Sequence, residues 1–322
     1  MLPHIHIGFF SIPSYSLMIL LGLIAFTVVS IGILEKREGV PQRVTNRLLI
    51  LSAVGFGVMA LGAFLLNSLF HSIERGAIAF GGITWLGGVL CAFPAMIALI
   101  HWFCPFARGE ALEYFNLLLP GVVLAHGIGR VGCFLGGCCY GAPTDSVLGV
   151  SFPEGSFAAR EFPSPTGGSL PVLPTQLIEA AFEFALFLLM LLLYRRLKRH
   201  FLELFALSYG LFRFLLEFLR GDDRGVTGIS VTPSQLMSVV LWIGAILLIL
   251  YHRGLILKGF RDRMAELAEQ RDPLALYGDR EAAKRLRELK WLADDGVISE
   301  EEFERAKAEL LRRLTEDPHP SK

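Results

Sequence analysis

The chain has 322 residues, a formal net charge of +0, 53% hydrophobic residues and 19% charged ones. A mean hydropathy of +0.53, with charge below the about 25% of ordinary globular domains, excludes a soluble core. The lack of a basic excess excludes nucleic acid as a partner. Charge is also unevenly placed: residues 259–322 hold 16 Asp/Glu and 13 Lys/Arg, nearly half of the chain's total. The pattern is that of a polytopic membrane protein with a small charged tail.

An apolar run of about 18 residues or more is long enough to cross about 30 Å of hydrocarbon as a helix. Seven segments read as spans: 12–34, 48–70, 81–103, 114–134, 176–194, 202–219 and 234–251. The opening "MLPHIHIGFF" has no basic n-region and no small-residue cleavage site, so no removable signal peptide is expected. Lys36, Arg37, Arg43 and Arg47 enrich the first loop, and Arg195, Arg196, Lys198 and Arg199 the fifth. Arg253, Lys258, Arg261 and Arg263 follow the last span, whereas loops two and four hold only Arg75 and Arg160. This alternation predicts an all-α, multi-pass polytopic fold of seven transmembrane helices, N-terminus outside and C-terminus cytoplasmic. The expected division is a membrane domain over 1–258, a linker over 259–280 and a cytoplasmic helical hairpin with its tail over 281–322.

Two stretches, at the end of the fourth span and in the sixth, carry charge where lipid should be. "LAHGIGRVGCFLGGCCYG", residues 124–141, places Arg130 inside a run of glycines with His126 one helical turn before it. Gly132-x-x-x-Gly136 and Gly137-x-x-x-Gly141 are spaced for close helix packing, and glycines also open backbone N–H groups to a ligand. An arginine within a span needs an anionic partner. Cys133, Cys138 and Cys139 crowd the same segment. Their C-x4-C-C spacing is not a zinc pattern and no second ligand pair lies nearby, so neither a metal nor a cofactor is expected. A disulfide, a thiol nucleophile and plain packing against glycine are all left open for them.

The sixth span, "LELFALSYGLFRFLLEFLRGDDRG", spaces Tyr209, Arg213, Glu217 and Arg220 by four, four and three residues, which puts them on one helical face. Intramembrane Arg and Glu each cost at least about 2.5 kcal/mol, so this face should look into a polar interior. It suits either an internal Arg213–Glu217 pair or a cleft for a charged headgroup. Arginine fits the second use because its planar fork can hold a phosphate bidentately.

In the tail, "AAKRLRELKWLADDG" carries Leu286, Leu289 and Leu292 on one stripe and stops at Gly296, a helix C-cap. "SEEEFERAKAELLRRL" opens with Ser299 and has Glu302 three residues on, a capping box. The spacing of Asp294–Glu302 is wrong for a calcium loop. The hairpin resembles the short C-terminal domain known as SHOCT, and it is expected to bind a protein partner rather than to catalyse.

Together these motifs resemble the prolipoprotein diacylglyceryl transferase family over about residues 5 to 250. "IGFFSIPSYSLMILLG" resembles the family's opening with Tyr15 at its functional tyrosine, and "GGITWLGGVL" its third span. "GRVGCFLGGCCYG" lies on the signature, "PTQLIE" on the Pro-x-Gln-Leu-x-Glu motif, and "YGLFRFLLEFLRGDD" on the sixth span. The resemblance implies seven spans and transfer of the diacylglyceryl group of phosphatidylglycerol to the lipobox cysteine of preprolipoproteins, releasing glycerol phosphate. It implies that Arg130 and Arg213 engage the lipid phosphate. Tyr15, Tyr209, Glu217, Arg220, Gly129, Gln176 and Glu179 would line or support the cleft among membrane lipids, and Gly141 would close the signature turn.

The departures are equally specific. Leu86 stands where the family has a histidine proposed as base or positioner. Cys133, Gly136 and Cys138 stand where its signature reads Asn, Asn and Glu, and Ser16 replaces a glycine. Leucine cannot take a proton, so His126 is the expected substitute base. A relative with a different lipid donor or acceptor, and a non-catalytic lipid-binding or assembly protein, remain open readings. A transporter fits less well, since the two halves show no inverted repeat.

Overall fold

The computed structural model describes residues 4–7, 10–75, 85–104, 107, 109–221, 231–269 and 280–316. An antiparallel hairpin, β1 (His4–Ile7) and β2 (Phe10–Pro13), leads into α1 (Ser14–Ile31). The first helix therefore starts two residues later than the apolar run. A π-helical turn, Gly32–Arg37, ends it. Then come α2 (Gln42–Arg75), α3 (Trp85–Phe103), α4 (Ala111–Gly136), the short α5 (Phe157–Glu161), α6 (Thr175–Leu192) and the single turn α7 (Tyr194–Leu197). The membrane part closes with α8 (Phe201–Leu216) and α9 (Pro233–His252). Among the described residues, five segments are long and apolar enough to cross a membrane: Ser14–Arg37, Gln42–Leu69, Ala111–Gly136, Thr175–Leu192 and Pro233–His252. Gly87–Phe103 of α3 is apolar but shorter, and α8 has only 16 residues. The start of the expected third span, 81–84, lies outside the described residues.

Local chemistry sets several of these boundaries. Thr232 caps α9 by accepting from the Gln235 amide at 3.3 Å, while the Gln235 side chain accepts from the Thr232 amide at 3.1 Å, with Pro233 at the first helical position. α4 ends at Gly137, whose φ of 70° is the left-handed cap that glycine adopts without a Cβ penalty. Gly137-x-x-x-Gly141 is thus a turn outside the helix and not the packing motif that its spacing suggested. The sixth span likewise runs helically only to Leu216. Glu217–Leu219 tighten into a 3-10 turn and Arg220 is extended, so Arg220 leaves the face shared by Tyr209, Arg213 and Glu217.

α4 is the central helix, packed against α1, α3, α6 and α8, while α2 pairs with α3 and α8 with α9. The packing is inverted relative to a soluble protein. Leu20, Ile24, Val28, Ile50, Leu61 and Leu192 face outward, whereas Ser14, Ser30, Asn116, Gln176, Glu179, Glu183 and Arg213 are buried. That distribution fits a protein whose surroundings are hydrocarbon, where small and polar groups join helices. α4 approaches α6 closely because Gly127 leaves room: a Cβ there would lie 2.7 Å from the Phe184 ring.

Residues 142–174 form a folded cap with its own core of Tyr140, Phe152, Ala158 and Val172 against Phe134. Tyr140 Oη donates to Glu161 Oε2 at 3.1 Å, and Val150 pairs with Val172. At the other end, α10 (Lys258–Glu269) occupies the first half of the expected linker and reaches Gly109. α11 (Arg280–Asp294) and α12 (Glu300–Glu316) make the hairpin, turning at Gly296. Leu286 and Phe303 form its small core. Trp291 is buried in the main core instead, beneath Arg43 at 4.7 Å, and Arg47 pairs with Asp295 at 2.9 Å. The hairpin is docked on the start of α2.

Candidate active site

The site is assembled where the end of α4 meets the starts of α1, α6 and α9 and the end of α8. From α4, Arg130 places Nη2 2.8 Å from Glu179 Oε2, and Glu179 is 2% exposed. Tyr209 on α8 donates from Oη to the other Glu179 oxygen at 3.0 Å. Glu179 also lies within electrostatic reach of Arg213 and His126. One buried carboxylate therefore links the charged residues of the signature helix and of the sixth span. Burial of such charges is tolerable only in pairs, and the anionic partner that Arg130 requires is Glu179.

His126, one turn before Arg130, directs Nδ1 to Glu183 Oε1 at 2.7 Å, with its ring edge-on to Tyr209 at 5.6 Å between centroids. Glu183 is fully buried and was not singled out in the sequence. Its signal was present: Gln176, Glu179 and Glu183 follow one another at three and four residues on one face of an apolar helix.

On α8, Arg213 pairs with Glu217 through Nη2 at 2.8 Å, and the same nitrogen donates to Ser234 Oγ at the start of α9 at 2.7 Å. Ser234 carries no charge and no motif, so nothing in the sequence marked it. The internal Arg213–Glu217 pair is thus present, yet it leaves donors over. Arg213 Nη1 and Arg130 Nε are buried with no hydrogen-bond partner among the described residues. Buried donors of this kind call for an explanation, and an anion entering beside them would satisfy both.

The turn after α4 is clamped by α6. Gln176 Nε2 donates to the Cys138 carbonyl at 2.7 Å and Thr175 Oγ1 to the Cys139 carbonyl at 2.8 Å. Gln176 is fully buried, and this bond makes it a brace of the signature turn. Gly141 donates its amide to the Leu173 carbonyl at 2.8 Å and forms a bridge with Arg220. A Cβ at Gly141 would lie 2.7 Å from the Leu219 carbonyl, so glycine is required to join the cap to the end of the sixth span. Gly129 is different: the nearest atom to its Cβ position is Ile19 Cδ1 at 4.0 Å. Tyr15 stands beside Gly132 and Gly136 at the start of α1, with its side chain 44% exposed at the outer face of the site.

None of the five cysteines forms a disulfide. Cys133, Cys138 and Cys139 nevertheless converge, with their Sγ atoms all within 4.8 Å of one another, and Arg130 Nη1 donates to Cys133 Sγ at 3.6 Å. The left-handed turn at Gly137 brings together thiols that their linear spacing keeps apart. The side chain of Leu86 lies outside the described residues.

The fold and the site define a multi-span membrane protein whose buried arginines are paired with buried carboxylates. The family described as prolipoprotein diacylglyceryl transferase matches residues 3–251, and the chain belongs to it. Among curated relatives, phosphatidylglycerol–prolipoprotein diacylglyceryl transferase 2 of Clostridium perfringens is 37% identical over 182 residues, covering 56% of this chain and 64% of that protein. The chain thus spans just under two thirds of that relative. The phosphatidylglycerol–prolipoprotein diacylglyceryl transferase of Clostridium tetani is 30% identical over 71% of this chain and 88% of its own length. That of Nitrosomonas europaea is 32% identical over 70% and 79%.

Proposed function

We propose that this chain transfers the diacylglyceryl group of phosphatidylglycerol to the lipobox cysteine thiol of preprolipoproteins, the first step of lipoprotein maturation, and releases glycerol phosphate. The observation that carries the proposal is the pair of buried guanidinium groups, Arg130 and Arg213, each holding a donor without a partner among the described residues, beside Glu179. In this reaction a thiolate attacks the glycerol carbon that bears phosphate, and the C–O electron pair leaves on a phosphate oxygen. Two arginines aimed at that oxygen stabilise the charge as it develops. Glu179, oriented by Tyr209, and Glu217 hold the arginines in place, and Tyr15 lines the lipid side. Gly129 leaves room on the helix face, and Arg220 and Gly141 join the cap to the site. Gln176 braces the signature turn. His126, backed by Glu183, is the proton acceptor in place of the family's usual histidine.

The topology that suits this reaction has seven spans with α3 and α8 included, the N-terminus and the cap outside, and the basic loops and tail in the cytoplasm of a bacterial inner membrane. The membrane domain takes residues 1–258, with a linker over 259–280. The SHOCT-like hairpin over 281–322 recruits a protein partner or regulates the first loop it rests on. A relative with another lipid donor or thiol acceptor is the second reading, favoured by Leu86 and by the cysteines at the signature positions.

The test is mass spectrometry of a lipobox peptide incubated with the purified chain and phosphatidylglycerol, with glycerol phosphate followed in parallel. A diacylglyceryl mass gain on the peptide cysteine is expected, with Arg130→Ala and Arg213→Ala each losing at least about a hundredfold in turnover. No gain from folded, lipid-binding protein would sink the reading.

A further inference from the structure

We infer that Cys133, Cys138 and Cys139 form a three-thiolate zinc site whose fourth position takes the acceptor thiol; the inference rests on the transferase reading above. Three sulfurs from one helix end and the turn after it lie within 4.8 Å of one another. Zinc–sulfur bonds of about 2.3 Å at a tetrahedral angle separate sulfurs by about 3.8 Å, which small side-chain rotations reach from here. The turn is built to present them. Gly137 reverses the chain, and Cys139 takes a left-handed φ of 62° that non-glycine residues seldom adopt. Gln176 and Thr175 hold the carbonyls of Cys138 and Cys139. Arg130 donates to Cys133 Sγ, a contact that favours the thiolate a metal needs. Cys133 is buried while Cys138 and Cys139 are partly exposed, which leaves an entry path for the ion.

The contrast with the other convergent cluster supports this assignment. His200 and His252 already share Glu203 Oε1 at 3.0 and 2.6 Å, so each imidazole there is engaged by the carboxylate. Three protein ligands around zinc leave one open position, the arrangement of catalytic and not structural sites. Zinc coordination deprotonates a thiol. The acceptor cysteine would bind as thiolate and release its proton to water or to the His126–Glu183 pair. Its sulfur then forms the S–C bond to the glycerol carbon as the C–O bond breaks. The electron pair leaves on the phosphate of glycerol phosphate, and the neutral thioether dissociates from the metal. Zinc changes no oxidation state. An ordinary thiol of pKa about 8.5 is only about 3% ionised at pH 7, so full ionisation is worth up to about thirtyfold in rate. A site of this kind accounts for an enzyme that works with Leu86 in place of histidine.

The experiment uses the full chain purified in detergent, with metal content by mass spectrometry, Co(II) substitution followed by thiolate-to-metal charge-transfer absorption, and peptide transfer as a function of pH. The expected result is about one zinc per chain, lost in Cys138→Ser and Cys139→Ser but kept in Cys91→Ser. Removing the metal should lower transfer at pH 7 by about ten- to thirtyfold, with most of the loss recovered near pH 9, and added zinc should restore it. Chelation of the unmutated chain keeps the test valid if a serine variant fails to fold. Zinc-free protein of undiminished activity, or a Cys133–Cys138 or Cys138–Cys139 disulfide in active protein, would overturn the site. Stoichiometric, cysteine-dependent zinc without any peptide transfer would instead refute the transferase reading and leave the site standing.

Discussion

Glu179 makes the most exposed claim of the structure, because one carboxylate is asked to neutralise Arg130, to orient Tyr209 and to lie near Arg213. In Glu179→Gln the acceptor for Tyr209 Oη survives, but the charge opposite Arg130 is lost. Both side chains are nearly buried, at 12% and 3% exposure, so solvent cannot replace the missing charge. Breaking one side of such a pair costs about 3–5 kcal/mol, which for a domain of this size lowers Tm by roughly 6–20 °C. Arg130→Gln should cost a similar amount, and the double variant should lose about 1–3 kcal/mol less than the sum of the two. Phosphatidylglycerol supplies a second readout. Its phosphate competes with Glu179 for Arg130 in the parent protein and has no competitor in Glu179→Gln. Thermal unfolding of the full chain, with phosphatidylglycerol or phosphatidylcholine added to the detergent, should show a larger upward shift with phosphatidylglycerol for Glu179→Gln than for the parent. Arg130→Gln should show a smaller one. Single-variant losses that add within about 0.5 kcal/mol, with equal lipid responses in all proteins, would refute the pairing and with it the charge balance of the site.

Three further outcomes follow from particular contacts. Gly141→Ala should destabilise by about 1–3 kcal/mol, since its methyl meets backbone atoms of Leu173 and Leu219 that cannot swing away, whereas Gly129→Ala meets open space and should stabilise α4 slightly; chemical unfolding of both variants separates the two, and a loss of transfer by a stable Gly129→Ala protein would mark that face as the lipid's. Trp291→Ala should release the hairpin from the start of α2 and expose residues 280–316 to limited proteolysis without unfolding the membrane part; an unchanged cleavage pattern would remove the docking contact. Backbone and side-chain hydrogen bonds from Ser299 hold the Glu302 carboxyl below its ordinary range. A depressed folded-state value means that the cap is in force above the unfolded pKa of about 4.3 and is lost as pH falls through the folded one. Amide protection at the start of α12 should therefore drop on acidification in the parent and be insensitive to it in Glu302→Gln.

What the sequence shows of this protein is governed by which interactions are local. A capping box needs three residues of chain, so the Ser299–Glu302 and Gly296 punctuation of the hairpin is readable directly. Apolar runs and loop charge report each helix by itself, and an arginine amid leucines announces that a partner exists. They do not say which one. Arg213 finds Glu217 one turn away, within reach of a periodicity argument, but also Ser234, which lies across a helix pair and looks like any polar residue. Arg130 finds Glu179 only because Gly127 lets α4 and α6 close together, a property of two helices jointly. Periodicity also carries its own error: it assumes that the helix continues, and the 3-10 turn at Glu217–Leu219 sends Arg220 to a bridge with Gly141 instead. The three cysteines are the strongest case. As a spacing, C-x4-C-C matches no ligand pattern; with a left-handed residue at Gly137 and another at Cys139 the same thiols face one another. The placement of Cys138 and Cys139 thus depends on backbone handedness. Their chemistry becomes a question about a site only once the turn is seen.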